Sequence, residues 1–354
     1  MKRSSRLEIN LDALTHNLSV VRKHANDANI IAVIKANAYG HGMLAVARHL
    51  AGKVDALAVA CVSEAHYLRD NGIDSAIVVL QGFHNLSQLD LCFQLDLQPV
   101  CHQSWQIELL KQHQSDKQLS CWLKLDSGMH RLGVPMQDAQ LYTEQLLKLA
   151  AVKKLRVMTH FASADEENAL LNQQQLDAFN SYHAGLTLEA SMANSAAILS
   201  LPDTIKDWVR PGLMLYGVSP FADKPASVFG LKPVMTLKSY VVAINQLPAG
   251  QAVGYGSCWS CSRDSQVAVV AIGYGDGYPR HASNGTPVLI NGKRYPLVGR
   301  VSMDMITVDI TATGAAIEIG DEVILWGEEL DVGEVAECST TIAYELLCNT
   351  GRAN

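Results

Sequence analysis

The sequence lacks several features that would place it in a membrane or on nucleic acid. None of its apolar runs approaches the roughly 20 residues that a membrane-spanning helix needs. The N-terminus, MKRSSRLEINLDAL, is basic but has no apolar segment long enough for a signal peptide. The formal net charge is −7, whereas a nucleic-acid surface needs clustered Lys and Arg. We therefore expect a cytoplasmic protein that binds neither nucleic acid nor membrane.

The cysteines lack the repeated spacing of zinc and disulfide proteins. Eight cysteines are scattered along the chain, and the one close pair is Cys258 and Cys261 in CWSC. A single pair without a second pair or an adjacent His is weak evidence for a metal site. We interpret it as structural, and we expect free thiols in a reducing compartment.

Short apolar runs alternate with helical patterns over the first two-thirds of the chain. The runs lack strict alternation, which is typical of strands buried on both faces. Strands that alternate with helices pair in parallel, and eight of them predict a closed (β/α)8 barrel. An open doubly wound sheet is the alternative, because the fourth run is the least regular. The runs are NIIAVI, ALAVA, AIVVL, LQPVC, LSCWLKL, LRVMTHF, TLEASMA and DWVRPGLMLYG.

Amphipathic stretches between these runs predict the helices. Leu14, Leu18 and Val21 keep helical spacing after Asp12, which is a suitable N-cap. Residues 136–150 and 169–183 also have a helical pattern.

The pattern changes after about residue 225. Runs such as SQVAVVAIGYGDGY and TPVLINGKRYPLVGRVSMDMITVDIT are strand-like and broken by Gly, Pro and Asn. This pattern of short strands and turn residues predicts a mainly antiparallel β domain at 226–354, after a barrel domain at 1–225. The opening strand, at about residues 6–10, could pair with either domain.

Polar and charged residues follow the predicted strand ends, where barrels collect their function. Taken singly, each has an ordinary explanation, since a lysine after a strand is usually solvated and a histidine is often a satisfied core residue. Together, an amine, a hydroxyl and glycine cradle for phosphate, and two arginines suit a pyridoxal phosphate enzyme. The sequence contains neither a Walker motif nor a GxGxxG motif, so it does not indicate a nucleotide site. The residues are Lys35, Tyr39, Lys124, Arg131, His160, Asn194, Ser195, Arg210, Gly212 and Leu213.

The segment AVIKANAYGHG resembles the pyridoxal phosphate signature of the alanine racemase family. LDSGMHRLG, MTHFASAD, SMANSA, VRPGLMLYG, VGYGS, IGYGDGYPR and GRVSMDMITVD resemble that family's segments in the same order. The resemblance covers residues from about 8 to 345. It implies interconversion of L-alanine and D-alanine with pyridoxal 5'-phosphate, in a head-to-tail homodimer with shared active sites.

The resemblance also implies a role for each matching residue. Lys35 would hold the cofactor covalently and act as one base, and Tyr255 would be the base on the opposite face. Arg210 would donate to the pyridine nitrogen, supported by His160. Arg131 and the Met303 backbone would hold the substrate carboxylate. Lys124 matches a position that is carbamylated in many members, where it orients Arg131. Asp304 and Tyr274 would line the entrance to the site. The remaining matches are the cofactor-binding residues Tyr39, Asn194, Ser195, Gly212, Leu213 and Tyr344.

Elementary chemistry explains why two bases are expected. Racemisation removes the α-proton from one face and returns one to the other, and a single fixed base reaches one face well. Lysine and tyrosine have ordinary pKa values of about 10.4 and 10, so both need a lowered pKa near neutrality. Cationic neighbours favour both the neutral amine and the phenolate. Arg210 stays protonated, so a pyridine nitrogen facing it stays unprotonated and the ring becomes a weaker electron sink.

Three alternatives remain open at this stage. A decarboxylase of basic amino acids shares the two-domain plan, but it typically has an acidic residue at the pyridine nitrogen and a glycine-triplet loop. A non-catalytic cofactor-binding protein would resemble the barrel alone and would not need Tyr255. A racemase of broad or serine preference is the strongest rival, although its relatives tend to be periplasmic.

Overall fold

Strands and helices alternate along most of the chain, as the apolar runs predict. The computed structural model describes residues 5–114, 116–166, 168–311 and 316–353. Residues 1–4, which open the basic N-terminal stretch, lie outside these ranges. The strands are β1 (Arg6–Ile9), β2 (Asn29–Val33), β3 (Ala56–Val59), β4 (Ile77–Val79), β5 (Leu97–Cys101), β6 (Leu119–Asp126), β7 (Val134–Pro135), β8 (Val152–Met158), β9 (Ala190–Ser191), β10 (Trp208–Val209), β11 (Met235–Leu247), β12 (Ala252–Val253), β13 (Trp259–Ser260), β14 (Ser265–Val270), β15 (Pro287–Ile290), β16 (Lys293–Val298), β17 (Ile306–Asp309) and β18 (Glu322–Trp326).

The helices lie mainly between the strands of the first two-thirds. Six short 3-10 turns accompany them in the described ranges, of which Leu213–Tyr216, Tyr255–Ser257 and Tyr274–Asp276 carry predicted site residues. The α-helices are α1 (Leu11–Ala25), α2 (Lys35–Tyr39), α3 (Met43–Leu50), α4 (Val62–Asp70), α5 (Leu86–Gln94), α6 (Ser104–Gln112), α7 (Ala139–Leu147), α8 (Leu170–His183), α9 (Ser195–Ser200), α10 (Val332–Cys338) and α11 (Ala343–Ala353).

The predicted (β/α)8 barrel is confirmed. Strands β2, β3, β4, β5, β6, β8, β9 and β10 pair in that order, all in parallel. Pairing of β10 with β2, through Trp208 and Asn29, closes the ring. The open-sheet alternative is therefore wrong, and the least regular run, LQPVC, is strand β5. Every residue of β3 is buried, as a strand covered on both faces requires.

A layer of aromatic side chains fills the barrel below the predicted site. The rings of Trp122 on β6 and Trp208 on β10 lie 5.7 Å apart, although β8 and β9 separate their strands. Their contact therefore crosses the barrel interior. The Arg156 guanidinium lies over both rings, at 5.4 and 5.0 Å. Because side chains alternate along a strand, Lys124 and Arg210, two residues further on, point into the barrel one layer higher.

The second sheet is antiparallel, as predicted for the C-terminal part. Its order is β1-β11-β14-β17-β16-β15-β18, and β18 pairs back with β11. Strand β1 pairs with β11, from Arg6 with Lys238 to Ile9 with Met235. The first strand thus belongs to the antiparallel sheet, and its pairing partner β11 is more than 200 residues away along the chain.

Contacts divide the chain into two units. The barrel unit consists of Leu18–Ala38 and Met43–Leu215. The C-terminal unit consists of Met1–Asn17, Tyr39–Gly42 and Tyr216–Asn354. In the described ranges, the helices are too short or too polar to cross a bilayer.

Some predicted boundaries differ from the structure. Asp12 is not the N-cap of α1, because the Asn10 side chain accepts hydrogen bonds from the Asp12 and Ala13 N–H groups. Strand β10 covers Trp208–Val209, a fraction of the apolar run DWVRPGLMLYG. The rest of that run is buried turn, since Met214, Leu215 and Tyr216 are apolar but lie in a 3-10 turn.

Candidate active site

Lys35 opens an uncommon left-handed turn. Ala36, Asn37 and Ala38 have φ/ψ values of 55/53°, 54/43° and 54/51°, and Tyr39 has φ 52°. Left-handed helical geometry costs non-glycine residues roughly 1–2 kcal/mol each. Such strain persists where surrounding contacts fix the backbone, and it is concentrated at functional sites. The lysine thus leaves strand β2 on a rigid, strained backbone.

Arg210 is buried in the barrel, and residues at the ends of strands β8 and β9 hold its guanidinium. Its Nη1 donates to Ser191 Oγ at 2.5 Å. Its Nη2 donates to the carbonyl oxygens of Thr159, at 2.5 Å, and Met192, at 3.1 Å. Burial lowers the pKa of Arg210 to about 10, which leaves it charged near neutrality. These hydrogen bonds use Nη1 and Nη2, so within the described part of the chain the Arg210 Nε–H is left to donate to another acceptor.

His160 lies against this guanidinium. Its Nδ1 is 3.3 Å from Arg210 Nη2 and accepts from it, because an arginine can only donate. Burial and then the positive charge of Arg210 hold the pKa of His160 well below its ordinary value. A neutral ring with its proton on Nε2 is the form consistent with both facts.

Lys124 completes a cluster of positive groups at the upper end of the barrel. Burial, followed by repulsion from Arg210, Arg131 and Lys35, lowers the pKa of Lys124 to about 7. The structure thus brings together four basic side chains, of which Lys124 lies near the end of β6 and Lys35, Arg131 and Arg210 follow β2, β6 and β10. Arg210 is buried, Lys35 and Lys124 are half-buried, and Arg131 is exposed. Positive groups concentrated in this way are suited to a ligand with phosphate and carboxylate groups.

A carboxylate shapes the loop that carries Arg131. Asp126 Oδ1 accepts from the Gly128 and His130 N–H groups, at 3.1 and 2.9 Å. Burial alone would raise the pKa of Asp126, but these bonds outweigh it and the pKa lies below its ordinary value. A Cβ at Gly133 would approach Asp126 N within 2.5 Å, so glycine is needed where this loop closes.

Ser195 and Gly212 are direct partners. Ser195 Oγ accepts from Gly212 N at 2.9 Å and from Met214 N at 3.3 Å. The Ser195 hydroxyl hydrogen remains available to an anion, whereas the Gly212 N–H is already used. Leu213 is buried in the same turn. The Asn194 side chain caps α9, since its Oδ1 accepts from Ala197 N at 3.0 Å.

The predicted phosphate tyrosines form an aromatic cluster in the C-terminal unit. The Tyr39 ring lies 5.0 Å from that of Tyr216 and 5.9 Å from that of Tyr344. Burial first, and then Tyr344 and Cys348, raise the pKa of Tyr39. Its hydroxyl therefore keeps its proton and can donate to an anion.

Tyr255, Tyr274, Met303 and Asp304 lie at one exposed surface of the C-terminal unit. The fractional exposures of Tyr255 and Met303 are 69% and 55%. Tyr274 N donates to Ser302 O, and Gly275 N donates to Met303 O at 2.8 Å. The turn around Tyr255 packs on Arg300, which a Cβ at Gly256 would approach within 3.5 Å. Tyr255, Tyr274 and Met303 are thus large side chains that this unit leaves exposed.

Known families match nearly the whole chain. Residues 9–220 match the model of the alanine racemase N-terminal domain, and residues 234–354 match that of the C-terminal domain. This chain belongs to the alanine racemase family. The resemblance that the sequence motifs carry is thereby confirmed.

Relatives of the family are similar over their full length. The alanine racemase of Aeromonas hydrophila is 50% identical over 341 residues, which cover 96% of this chain and 95% of the relative. That of Thioalkalivibrio sulfidiphilus is 49% identical, with 99% and 98% covered. The crystal structure of biosynthetic alanine racemase from Pseudomonas aeruginosa has a TM-score of 0.95 at 41% identity, with 99% and 97% covered.

Sequence reasoning missed the residues that hold this alanine racemase family site in place. Thr159 and Ser191, which bind Arg210, lie within the segments MTHFASAD and SMANSA, but neither residue was given a role. Tyr216 was predicted as strand, and its ring packs against Tyr39. The pair Cys258 and Cys261 holds no disulfide, and no group of three metal-ligating side chains occurs among the described residues.

Proposed function

We propose that this protein interconverts L-alanine and D-alanine with pyridoxal 5'-phosphate, for D-alanine supply to the cell wall or for alanine catabolism. Membership in the alanine racemase family supports the reaction. The observation that carries the proposal is the cluster of Lys35, Lys124, Arg131 and Arg210 in one barrel.

The donor set of the barrel fits this cofactor. The cofactor supplies an electron sink for the bond to the α-hydrogen. Lys35 would hold it covalently, and Arg210 would donate Nε–H to its ring nitrogen. The Ser195 hydroxyl suits a phosphate, and the Gly212 and Leu213 turn and Asn194 would support Ser195 there. The family resemblance adds the hydroxyl groups of Tyr39 and Tyr344, which belong to the C-terminal unit.

Arg210 would favour racemisation over side reactions. A guanidinium cannot accept a proton, so a ring nitrogen in front of it stays unprotonated. The neutral His160 accepts from Arg210 and does not compete with it as a proton donor. Charge that develops at the α-carbon is then weakly delocalised, and fast return of a proton is favoured.

Lys35 and Tyr255 would move the proton on opposite faces. Burial and, after it, the neighbouring positive charges lower the pKa of Lys124 to about 7. The same cationic surroundings would help Lys35 to act as a neutral base. Arg131 would bind the substrate carboxylate bidentately, with the backbone at Met303. A carbamylated Lys124 would supply the anion that orients Arg131.

The exposed surface of the C-terminal unit supports a homodimer. Tyr255, Tyr274, Met303 and Asp304 would complete the active site of the partner subunit, which explains why large apolar side chains are exposed in one chain. The cysteines of the described residues form no disulfide, which is compatible with the cytoplasmic location that we propose.

Polarimetry on L-alanine with and without added pyridoxal phosphate tests the proposed function. We expect decay of optical rotation to zero, dependent on the cofactor. A panel of single enantiomers tests specificity. Comparable rates on serine, arginine or lysine would contradict the assignment to alanine, and release of CO2 from a basic amino acid would indicate a decarboxylase.

A further inference from the structure

The Glu64 carboxylate connects two neighbouring strand ends beside Lys35. Its Oε1 accepts from Ala36 N at 2.9 Å, and its Oε2 accepts from Ala60 N at 2.7 Å. Strands β2 and β3 pair in parallel up to Val33 and Ala58. Ala36 and Ala60 therefore lie just past the ends of adjacent strands, and one side chain holds both.

Ala36 is the first residue of the left-handed turn. Its backbone is strained, and it is bonded directly to Lys35. Other hydrogen bonds hold the far end of the turn, from Met43 N to Asn37 Oδ1 and from Ala38 N to Ile34 O. Glu64 holds the near end, next to the peptide unit from which the Lys35 side chain leaves.

Helix α4 presents the Glu64 carboxylate at a defined place. Glu64 is in the first turn of α4, and the N-cap residue Cys61 makes no side-chain capping bond. A glutamate in this turn usually reaches back to the N–H group of the N-cap residue. Here one oxygen reaches back to Ala60 and the other is directed to a different strand. Ala36 N–H and Ala60 N–H are bound by two different oxygens of Glu64. In a glutamine, an NH2 donor would occupy one of these two oxygen positions.

We propose that Glu64 is a positioning residue for Lys35, acting through the Ala36 backbone. This inference depends on the role of Lys35 proposed above. Glu64 sets where the lysine amine lies relative to the α-hydrogen, and it maintains the strained turn that fixes the lysine backbone. A displacement of about 1 Å in a reacting group can lower a rate about 100-fold.

Hydrogen exchange on the apoprotein tests the contact itself. In Glu64→Ala, the amides of Ala36 and Ala60 should exchange about 10-fold faster or more, because both lose their acceptor. In Glu64→Gln, at least one of the two should do so. Asp70→Asn is the matched control, since Asp70 is exposed in the last turn of the same helix. Where Glu64→Ala does not fold, Glu64→Gln carries the test.

Kinetics of the cofactor-loaded enzyme test the consequence. We expect kcat to fall about 10-fold to 100-fold in Glu64→Ala while KM changes little, because substrate is bound by other groups. Borohydride reduction should still attach the cofactor to the Lys35 peptide in full yield. Asp70→Asn should match the unmodified protein in all three measurements.

Unchanged exchange at both amides in Glu64→Ala and Glu64→Gln would overturn the proposal. Faster exchange with a kcat equal to that of Asp70→Asn would also overturn it. Failure of the proposed function would give a different result. If borohydride reduction attached the cofactor to a residue other than Lys35, the proposed role of Lys35 would be wrong, whatever the exchange rates of Ala36 and Ala60.

Discussion

Arg210 Nη1 donates a 2.5 Å hydrogen bond to Ser191 Oγ, and both side chains are buried in the barrel. Ser191 also donates from its hydroxyl to Trp208 O at 2.8 Å. The serine is thereby oriented with its lone pairs towards the guanidinium. The proposed chemistry needs the positive charge of Arg210 at one position, and Ser191 on strand β9 helps to fix it there.

Removal of this hydroxyl should destabilise the protein. Ser191→Ala leaves a buried guanidinium N–H without its acceptor, which costs about 1–3 kcal/mol. The free energy of unfolding from urea titration measures the change. Ser200→Ala is the control, because the Ser200 hydroxyl donates to the Ala196 carbonyl of its own helix and leaves no charged donor behind. Equal losses for the two variants would contradict the role of Ser191.

Replacement of Arg210 should change the reaction outcome more than binding. In Arg210→Glu, a carboxyl group facing the ring nitrogen would allow it to hold a proton, and the stronger electron sink should increase transamination. Pyruvate formed per racemisation event measures this ratio, and we expect a rise of at least about 10-fold. Arg210→Lys, which keeps the charge, should show a smaller rise. An unchanged ratio in Arg210→Glu would refute our account of Arg210.

The low pKa of Lys124 predicts a pH-dependent stability difference. Its pKa is about 7 in the folded protein against an ordinary 10.5, so between these values the unfolded chain binds more protons and stability rises with pH. Lys124→Met should therefore be more stable than the unmodified apoprotein at pH 7, by about 1–3 kcal/mol. The difference should shrink towards pH 10. Unfolding in CO2-free buffer measures it, and a difference that stays constant with pH would show that the amine is not perturbed.

Tyr255→Phe should separate the two proton transfers. The two alanine enantiomers have equal free energy in water, so kcat/KM must fall equally in both directions. Exchange of the α-hydrogen need not fall equally, because Lys35 can still remove and return a proton on its own face. We expect one enantiomer to exchange its α-hydrogen in D2O without inversion, measured by NMR. Equal exchange of both enantiomers would remove Tyr255 from the mechanism.

The fold could be predicted because its signals are local. Runs buried on both faces indicated parallel strands, and the change of texture near residue 225 indicated a different sheet. The pairing of β1 with β11 could not be predicted, since the partners are more than 200 residues apart and their apolar patterns fit several neighbours. The 3-10 turn at Leu213–Tyr216 could not be predicted from its apolar residues, because a run of residues is apolar wherever it is buried, whether it forms a strand or a turn.

The candidate site could be predicted in its charged residues but not in their supports. Lys35, Lys124 and Arg210 stood out as charges at the ends of apolar runs. Ser191 and Glu64 did not, because a serine in a buried run and a glutamate in a helix are ordinary. The left-handed turn after Lys35 could not be predicted either. Asparagine tolerates positive φ, but the two alanines of KANAY do not favour it.

Mixed dimers test the central claim, that Lys35 of one subunit and Tyr255 of its partner act on the same α-hydrogen. Each of Lys35→Ala and Tyr255→Phe should be nearly inactive alone. Random pairing of the two variants should restore about a quarter of the racemase activity, because half of the dimers are mixed and each mixed dimer has one intact site. Activity of the refolded mixture that stays at the level of the separate variants would contradict the account.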